Sequence, residues 1–264
     1  MHKRVLFICS TILVLALAVS CGGGGEQTTN IPPAEQGGGA APAGGGAAPS
    51  ATATVTGKIA FEGTPPPNEK IQMSADPYCK QHNPEATAET VKVSDGGLEN
   101  VIVFVKNVPA GNYPTPTSPV MIDQHDCHYV PHVFTMQVNQ PLKIKNSDAT
   151  LHNIHAWAEK NTPFNIGQPV QNMESEKTFT AEEVPLPIRC DVHKWMGAFV
   201  GVFSHPYHTV SKGGGSYELK LPPGNYEIVA WHEKYGQQTQ MVEVKDNEKK
   251  ELGFSFKADA KPTD

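Results

Sequence analysis

Apolar side chains along most of this chain recur at every second position, in runs too short for helices. "VFTMQV" sets Phe134, Met136 and Val138 on one side of an extended backbone and Thr135 and Gln137 on the other. After the turn at "NQP", Leu142 and Ile144 alternate with Lys143 and Lys145. Successive side chains of a strand point to opposite faces, so a period of two marks strands with one wet and one dry face. "NVIVFVKNV" and "AFVGVFS" are continuous β-branched and aromatic runs, which suit strands buried on both faces. "SYELKLPPGNYEIVAWHE" reads as two alternating strands about a Pro-Pro-Gly-Asn turn, and "TQMVEVKDNEKKELGFSF" repeats the pattern with a polar turn. Helix signals are scarce. An all-β fold of packed sandwiches follows.

The N-terminus is of another kind. In "MHKRVLFICSTILVLALAVSC", Lys3 and Arg4 precede an apolar run from Val5 to Val19, too short for a comfortable membrane span. Residues 1–20 therefore read as an export signal. The "LALAVSC" ending resembles a bacterial lipobox, which implies cleavage before Cys21 and lipid on that cysteine; an ordinary signal peptide followed by a chance cysteine is the alternative. Residues 21–51 hold Gly, Ala, Pro and Ser with almost no large apolar side chain. Such a segment cannot offset its ordering entropy by burial and is expected to be a disordered leash, with a reach of about 30 Å. The protein would then be exported and held at a bacterial membrane, in the periplasm or on the cell surface.

Of 264 residues, 21 are Lys or Arg and 27 are Asp or Glu. An acidic balance argues against nucleic acid and against electrostatic docking to anionic lipid. Five cysteines are present. Cys9 leaves with the signal and Cys21 is assigned to lipid, so Cys79 and Cys127 are free to pair in an oxidising compartment, where they would staple two sandwiches together. Cys190 is left over. It stands in "IRCDVHKWMGAF", with His193 and Met196 following at intervals of three.

Upstream, "HYVPHVFTMQVNQPLKIKNSDATLHN" followed by "CDVHKWM" resembles the cupredoxins, closest to amicyanin and plastocyanin in its short Cys-to-Met loop. The resemblance covers residues 118–206. It implies a Greek-key sandwich with one copper ion held by His152 from a strand end and by Cys190, His193 and Met196 from one loop. Asn153 resembles the asparagine that ties the ligand loop to the neighbouring strand. The residue types make chemical sense by themselves. Thiolate is soft, imidazole intermediate and a weak thioether discourages square-planar geometry, so the set tolerates both Cu(I) and Cu(II). "LPIR" before Cys190 departs from the aromatic residues of amicyanin and plastocyanin, leaving the site type open.

A second resemblance lies in "TGKIAFEG" and "YELKLPPGNYEIVAWHE", which are similar to carboxypeptidase-regulatory or transthyretin-like sandwiches. Because these pieces flank the copper motif, residues 52–117 and 207–258 would form one sandwich split by the inserted 118–206. Two consecutive domains divided near 206 are the alternative.

Other residues carry weaker expectations. His155 should face away from His152 and serve near the site or at the surface. Lys194 and Trp195 would flank its mouth, unless Trp195 is core. His125, Cys127, His128 and His132 of "HDCHYVPH" suggest a second metal site, against which the Cys79–Cys127 pairing argues. Trp231 is expected in the core and His232 outward. No hydrolytic nucleophile with its base, phosphate loop or dinucleotide fingerprint is evident, and four protein ligands leave no place for substrate, so an enzyme is not expected. The reading is a lipid-anchored one-electron carrier for redox proteins such as c-type cytochromes or membrane oxidoreductases. Copper storage, delivery or sensing, and a metal-free adhesion or assembly module, are the alternatives.

Overall fold

Ala53–Glu62 is the organising strand of the first sandwich. It pairs antiparallel with Ser216–Leu221 and parallel, along successive halves, with Lys249–Glu251 and Phe254–Lys257. At the switch between those halves sits Gly57, where a Cβ would fall 1.8 Å from the Leu252 carbonyl oxygen. Only glycine fits there. A second sheet, ordered His208–Val210, Ile102–Val105, Gly224–His232 and Gly236–Val244, faces the first. Their shared core draws on residues from both ends of the chain, Val55, Ile59 and Leu98 meeting Leu219, Ile228 and Phe256.

The intervening strands build the other two sheets. One runs Phe164–Gln168, His152–Ala156, Glu183–Arg189, Gly197–Phe203 and Val133–Gln137. Its partner runs Glu174–Lys177, Leu142–Asn146, Val120–His125 and His128–Val130. Leu142 and Ile144 point inward and Lys143 and Lys145 outward, as their alternation requires. The computed structural model describes residues 47–260, so the export signal, Cys21 and most of the linker lie outside the described residues. Among the described residues the fold is all-β apart from one short helix, α1 (Pro77–His82), and a single 3-10 turn. None of their helices is long and apolar enough to cross a membrane.

Three local expectations change. The strands either side of "LPPGN" lie in different sheets instead of forming a hairpin. Pro222 and Pro223 cannot donate to a ladder, and the chain uses them to pass from one sheet to the other. Likewise Gly236–Val244 does not pair with the strands after its polar turn, which cross to Ala53–Glu62. Finally, His232 is wholly buried and Trp231 only partly so. Tyr226, Ile228, Ala230 and His232 share the face toward the first core, whereas Trp231 faces a seam of Ile102, Val133, Phe199 and Phe203. That seam explains the continuous apolar runs: Gly197–Phe203 is dry on both sides.

Residues 71–86 are the other departure. Met73, Cys79 and Ala86 lie N-terminal to the inserted strands, yet they are buried with Ile122, Cys127, Ile144 and Cys190. The Cys79–Cys127 disulfide is present with a Cα–Cα distance of 5.6 Å. Both of its cysteines belong to this one core, so it pins α1 against the second sandwich and does not staple two cores together.

Candidate metal centre

His152 opens the strand His152–Ala156, and Cys190 follows immediately on the strand Glu183–Arg189. These strands are hydrogen-bonded neighbours, with Ile188 opposite Ala156 and Arg189 opposite His155. The loop after Cys190 returns at once. The Cys190 N–H donates to the Met196 carbonyl at 3.2 Å, and the Met196 N–H donates to the His193 carbonyl at 2.9 Å. This tight turn is why a spacing of three brings the side chains inward together. His152, Cys190, His193 and Met196 are each no more than 2% exposed.

The ligand atoms of His152, Cys190 and His193 all lie within 4.8 Å of one another. Met196 joins them through the loop backbone and is buried in the same core. Cys190 is the free thiol among the described cysteines. Burial alone would push its pKa up, yet hydrogen bonding by His152, His193 and the loop backbone brings it down to about 5. The sulfur is therefore a thiolate at neutral pH, the form that binds metal.

The imidazole geometry is the most telling feature. His152 Nε2 lies 2.9 Å from Asp148 Oδ2, and His193 Nε2 lies 3.0 Å from Asp76 Oδ2. A carboxylate only accepts, so both rings present N–H at Nε2. Both Nδ1 lone pairs then point inward, at each other, across 2.8 Å. Two acceptors at that distance repel unless a proton or a metal cation lies with them. The donor set of one thiolate and two imidazoles, buried and within 4.8 Å of one another, fits a copper or zinc ion.

Asn153 organises the loop. Its Oδ1 accepts from the backbone N–H of Asp191 at 2.7 Å and of Val192 at 3.3 Å, and sits 3.3 Å from Cys190 Sγ. His155 is half-buried on the far side of the strand, with Nδ1 3.1 Å from Asp191. Trp195 tilts over His193 at a ring distance of 4.9 Å while its Nε1–H donates to the Cys127 carbonyl; Lys194 is exposed. Of the histidines of "HDCHYVPH", His125 and His128 stand opposite each other across one hairpin, while His132 belongs to a different strand environment. His125 is exposed beside Asp126, His128 meets Asn83, and His132 contacts Glu233 and the Gly197 carbonyl. Cys127 is taken by the disulfide, and no group of three or more possible ligand atoms among the described residues brings these three histidines together.

Two residues of the centre escaped the sequence reading: Asp76 and Asp148. Each had a local cue. Asp148 precedes His152 by four residues across a turn, and Asp76 stands before Pro77 as the N-cap of α1, accepting from the Cys79 N–H. Burial would raise both carboxyl pKa values, but hydrogen bonds from backbone N–H groups and from the two histidines bring them below the usual range.

No family model matches this chain, and no curated protein matches it either. Solved structures overlap it in part. An amicyanin mutant in its Cu(I) form shares 18% identity over 38% of this chain and 97% of its own, with a TM-score of 0.29. A purple cupredoxin from Nitrosopumilus maritimus shares 20% over 31% and 97%, at 0.27. A Cu-containing nitrite reductase from Thermus scotoductus SA-01 shares 17% over 38% of this chain, at 0.31, and this chain spans only 25% of that one. Overlaps this partial leave the case to the side chains themselves.

Proposed function

We propose that His152, Cys190 and His193, with Met196 as the fourth and weakest donor, hold one copper ion, and that the protein is a one-electron carrier. The observation that carries this reading is the pair of Nδ1 atoms 2.8 Å apart beside a thiolate, each ring fixed from behind by a carboxylate. Copper, when bound there, supplies a Cu(I)/Cu(II) couple. The chain supplies rigidity. Two strands and a hydrogen-bonded loop hold the donors in place before any metal arrives, so little rearrangement accompanies a change of charge. Burial excludes water and other ligands, and four protein donors leave no position for a substrate, which favours a carrier over an enzyme.

The leader and linker support an exported, lipid-anchored protein whose leash lets the sandwich reach partners at the membrane. Redox proteins such as c-type cytochromes or membrane oxidoreductases suit that setting, and an acidic carrier would favour basic ones, at rates that fall with ionic strength. Copper delivery or storage fits less well, because both imidazoles are closed off from behind and an exchanging site needs an open approach.

The test is a Cu(II) titration of the chain without its leader. An intense thiolate-to-copper absorption band at one equivalent, absent in Cys190→Ala, with reversible voltammetry, supports the carrier. Colourless Cu(I) binding with no reversible wave supports copper handling. No binding of either ion returns the protein to a scaffold role.

A further inference from the structure

The carboxylates behind the two imidazoles do more than fix a tautomer. Asp148 is 1% exposed and takes hydrogen bonds on both oxygens: Asp126 N–H at 2.9 Å and Tyr78 O–H at 3.4 Å on one, Cys127 N–H at 2.8 Å and His152 Nε2–H at 2.9 Å on the other. Asp126 and Cys127 adopt left-handed backbone, φ 51° and 58°, in the turn that aims their N–H groups there. Asp76 arrives from α1. Its Oδ2 accepts from His193 Nε2–H at 3.0 Å and from the Thr150 hydroxyl at 3.0 Å. The disulfide lies between the two arrangements: Cys79 Sγ is 3.9 Å from His193 Nε2, and the Cys127 sulfur is grouped with Asp148 and His152 within 4.8 Å.

We propose that Asp76 and Asp148 are positioning residues that bias this centre toward its oxidised state, through a carboxylate–histidine pair on each imidazole. The proposal rests on the copper reading above. A carboxylate accepting the Nε2 proton makes the opposite nitrogen a stronger donor, and such partners change metal affinity by about 10–100-fold. Charge points the same way. With Cys190, Asp76 and Asp148 all anionic, a dication leaves the cluster, buried except at the partly exposed Asp76, at minus one and a monocation leaves it at minus two. In a dry interior the second arrangement costs more. The centre should therefore give up its electron readily to an acceptor.

The decisive variant is Asp76→Asn. Asparagine also caps helices, but it carries one oxygen where aspartate uses two, Oδ1 for the Cys79 N–H and Oδ2 for His193 Nε2–H and the Thr150 hydroxyl, so the substitution removes the charge together with one of these acceptors. The readout is the reduction potential of the copper-loaded full protein by voltammetry, with the thiolate-to-copper band as a check on coordination. The expected result is a selective weakening of Cu(II) over Cu(I) by about 10-fold or more, which is a rise of about 59 mV per tenfold for one electron. Asp148→Asn should raise it as well, and Asp76→Glu should return it toward the wild-type value. Glu85→Gln removes an exposed charge from the same segment and is the control. An unchanged or lowered potential in Asp76→Asn, or an equal rise in Glu85→Gln, overturns the proposal. Should Asp148→Asn fail to fold, Asp76→Asn alone decides. A wild-type protein that takes up no copper is a separate failure, which removes the copper reading and this inference with it.

Discussion

Replacing Cys79 and Cys127 together by alanine tests the claim that α1 is stapled onto the metal-side core. The bridge closes a loop of 48 residues. In the chain-entropy model, releasing a loop of that length restores about 4 kcal/mol of freedom to the unfolded state at 25 °C. Both cysteines are fully buried, and alanine leaves only a small void, so the entropic part dominates. Urea unfolding of the metal-free protein at pH 7 should show the variant less stable by about 2–5 kcal/mol, and reduced wild type should match the variant. A local consequence follows from the geometry. Asp76 caps α1 and holds His193, and Tyr78 reaches Asp148, so the loss should loosen the cover over His193 before it disturbs the sheets. Hydrogen exchange at the His193 and Cys79 amides should accelerate while that at Ile144 does not. A stability loss below about 1 kcal/mol, well under the usual cost of removing a native disulfide, or exchange that rises equally everywhere, would refute the staple.

The remaining predictions concern the loop and pH. Asn153→Ala removes the acceptor shared by the part-buried Asp191 and Val192 N–H groups, which costs about 1 kcal/mol; chemical denaturation should show that loss, and copper affinity should fall with it, whereas unchanged affinity would mean the loop stands without Asn153. Stability of the metal-free protein should drop as pH falls from 6.5 to 5. Burial holds His205 near 4 and His208 and His232 near 3, and the depressed Cys190 thiol also loses its advantage as pH falls toward about 5. In each case the unfolded chain takes up protons that the native state does not, so acid favours unfolding. His152 and His132 have raised pKa values despite burial, through Asp148 and Glu233, and their contribution is lost only above 6.5, outside that window. A flat melting temperature between pH 5 and 6.5 would contradict this.

The strands were legible because alternation in a half-buried strand is dictated by geometry: Leu142 and Ile144 can reach the core only if Lys143 and Lys145 face water. The loop spacing was legible too, since Cys190, His193 and Met196 lie within one turn. Sheet partners were not. The "LPPGN" segment reads as a hairpin turn, and nothing local shows that its flanking strands part company. Trp231 and His232 were exchanged because a sheet whose outer face packs on a second sandwich has no wet side, so polarity no longer tells inside from outside. Asp76 escaped for a different reason. It meets His193 across 117 residues, a contact that depends on how the whole segment around α1 docks, through the disulfide and the burial of Met73 and Ala86.

X-ray absorption on the copper-loaded protein examines the central claim most directly, because it reports the donor atoms without reference to any partner. The prediction is two nitrogen donors and one short sulfur donor, with that sulfur lost in Cys190→Ala and the nitrogen count reduced in His152→Ala. A first shell of oxygen and nitrogen alone, or a short sulfur distance that survives the loss of Cys190, would contradict it.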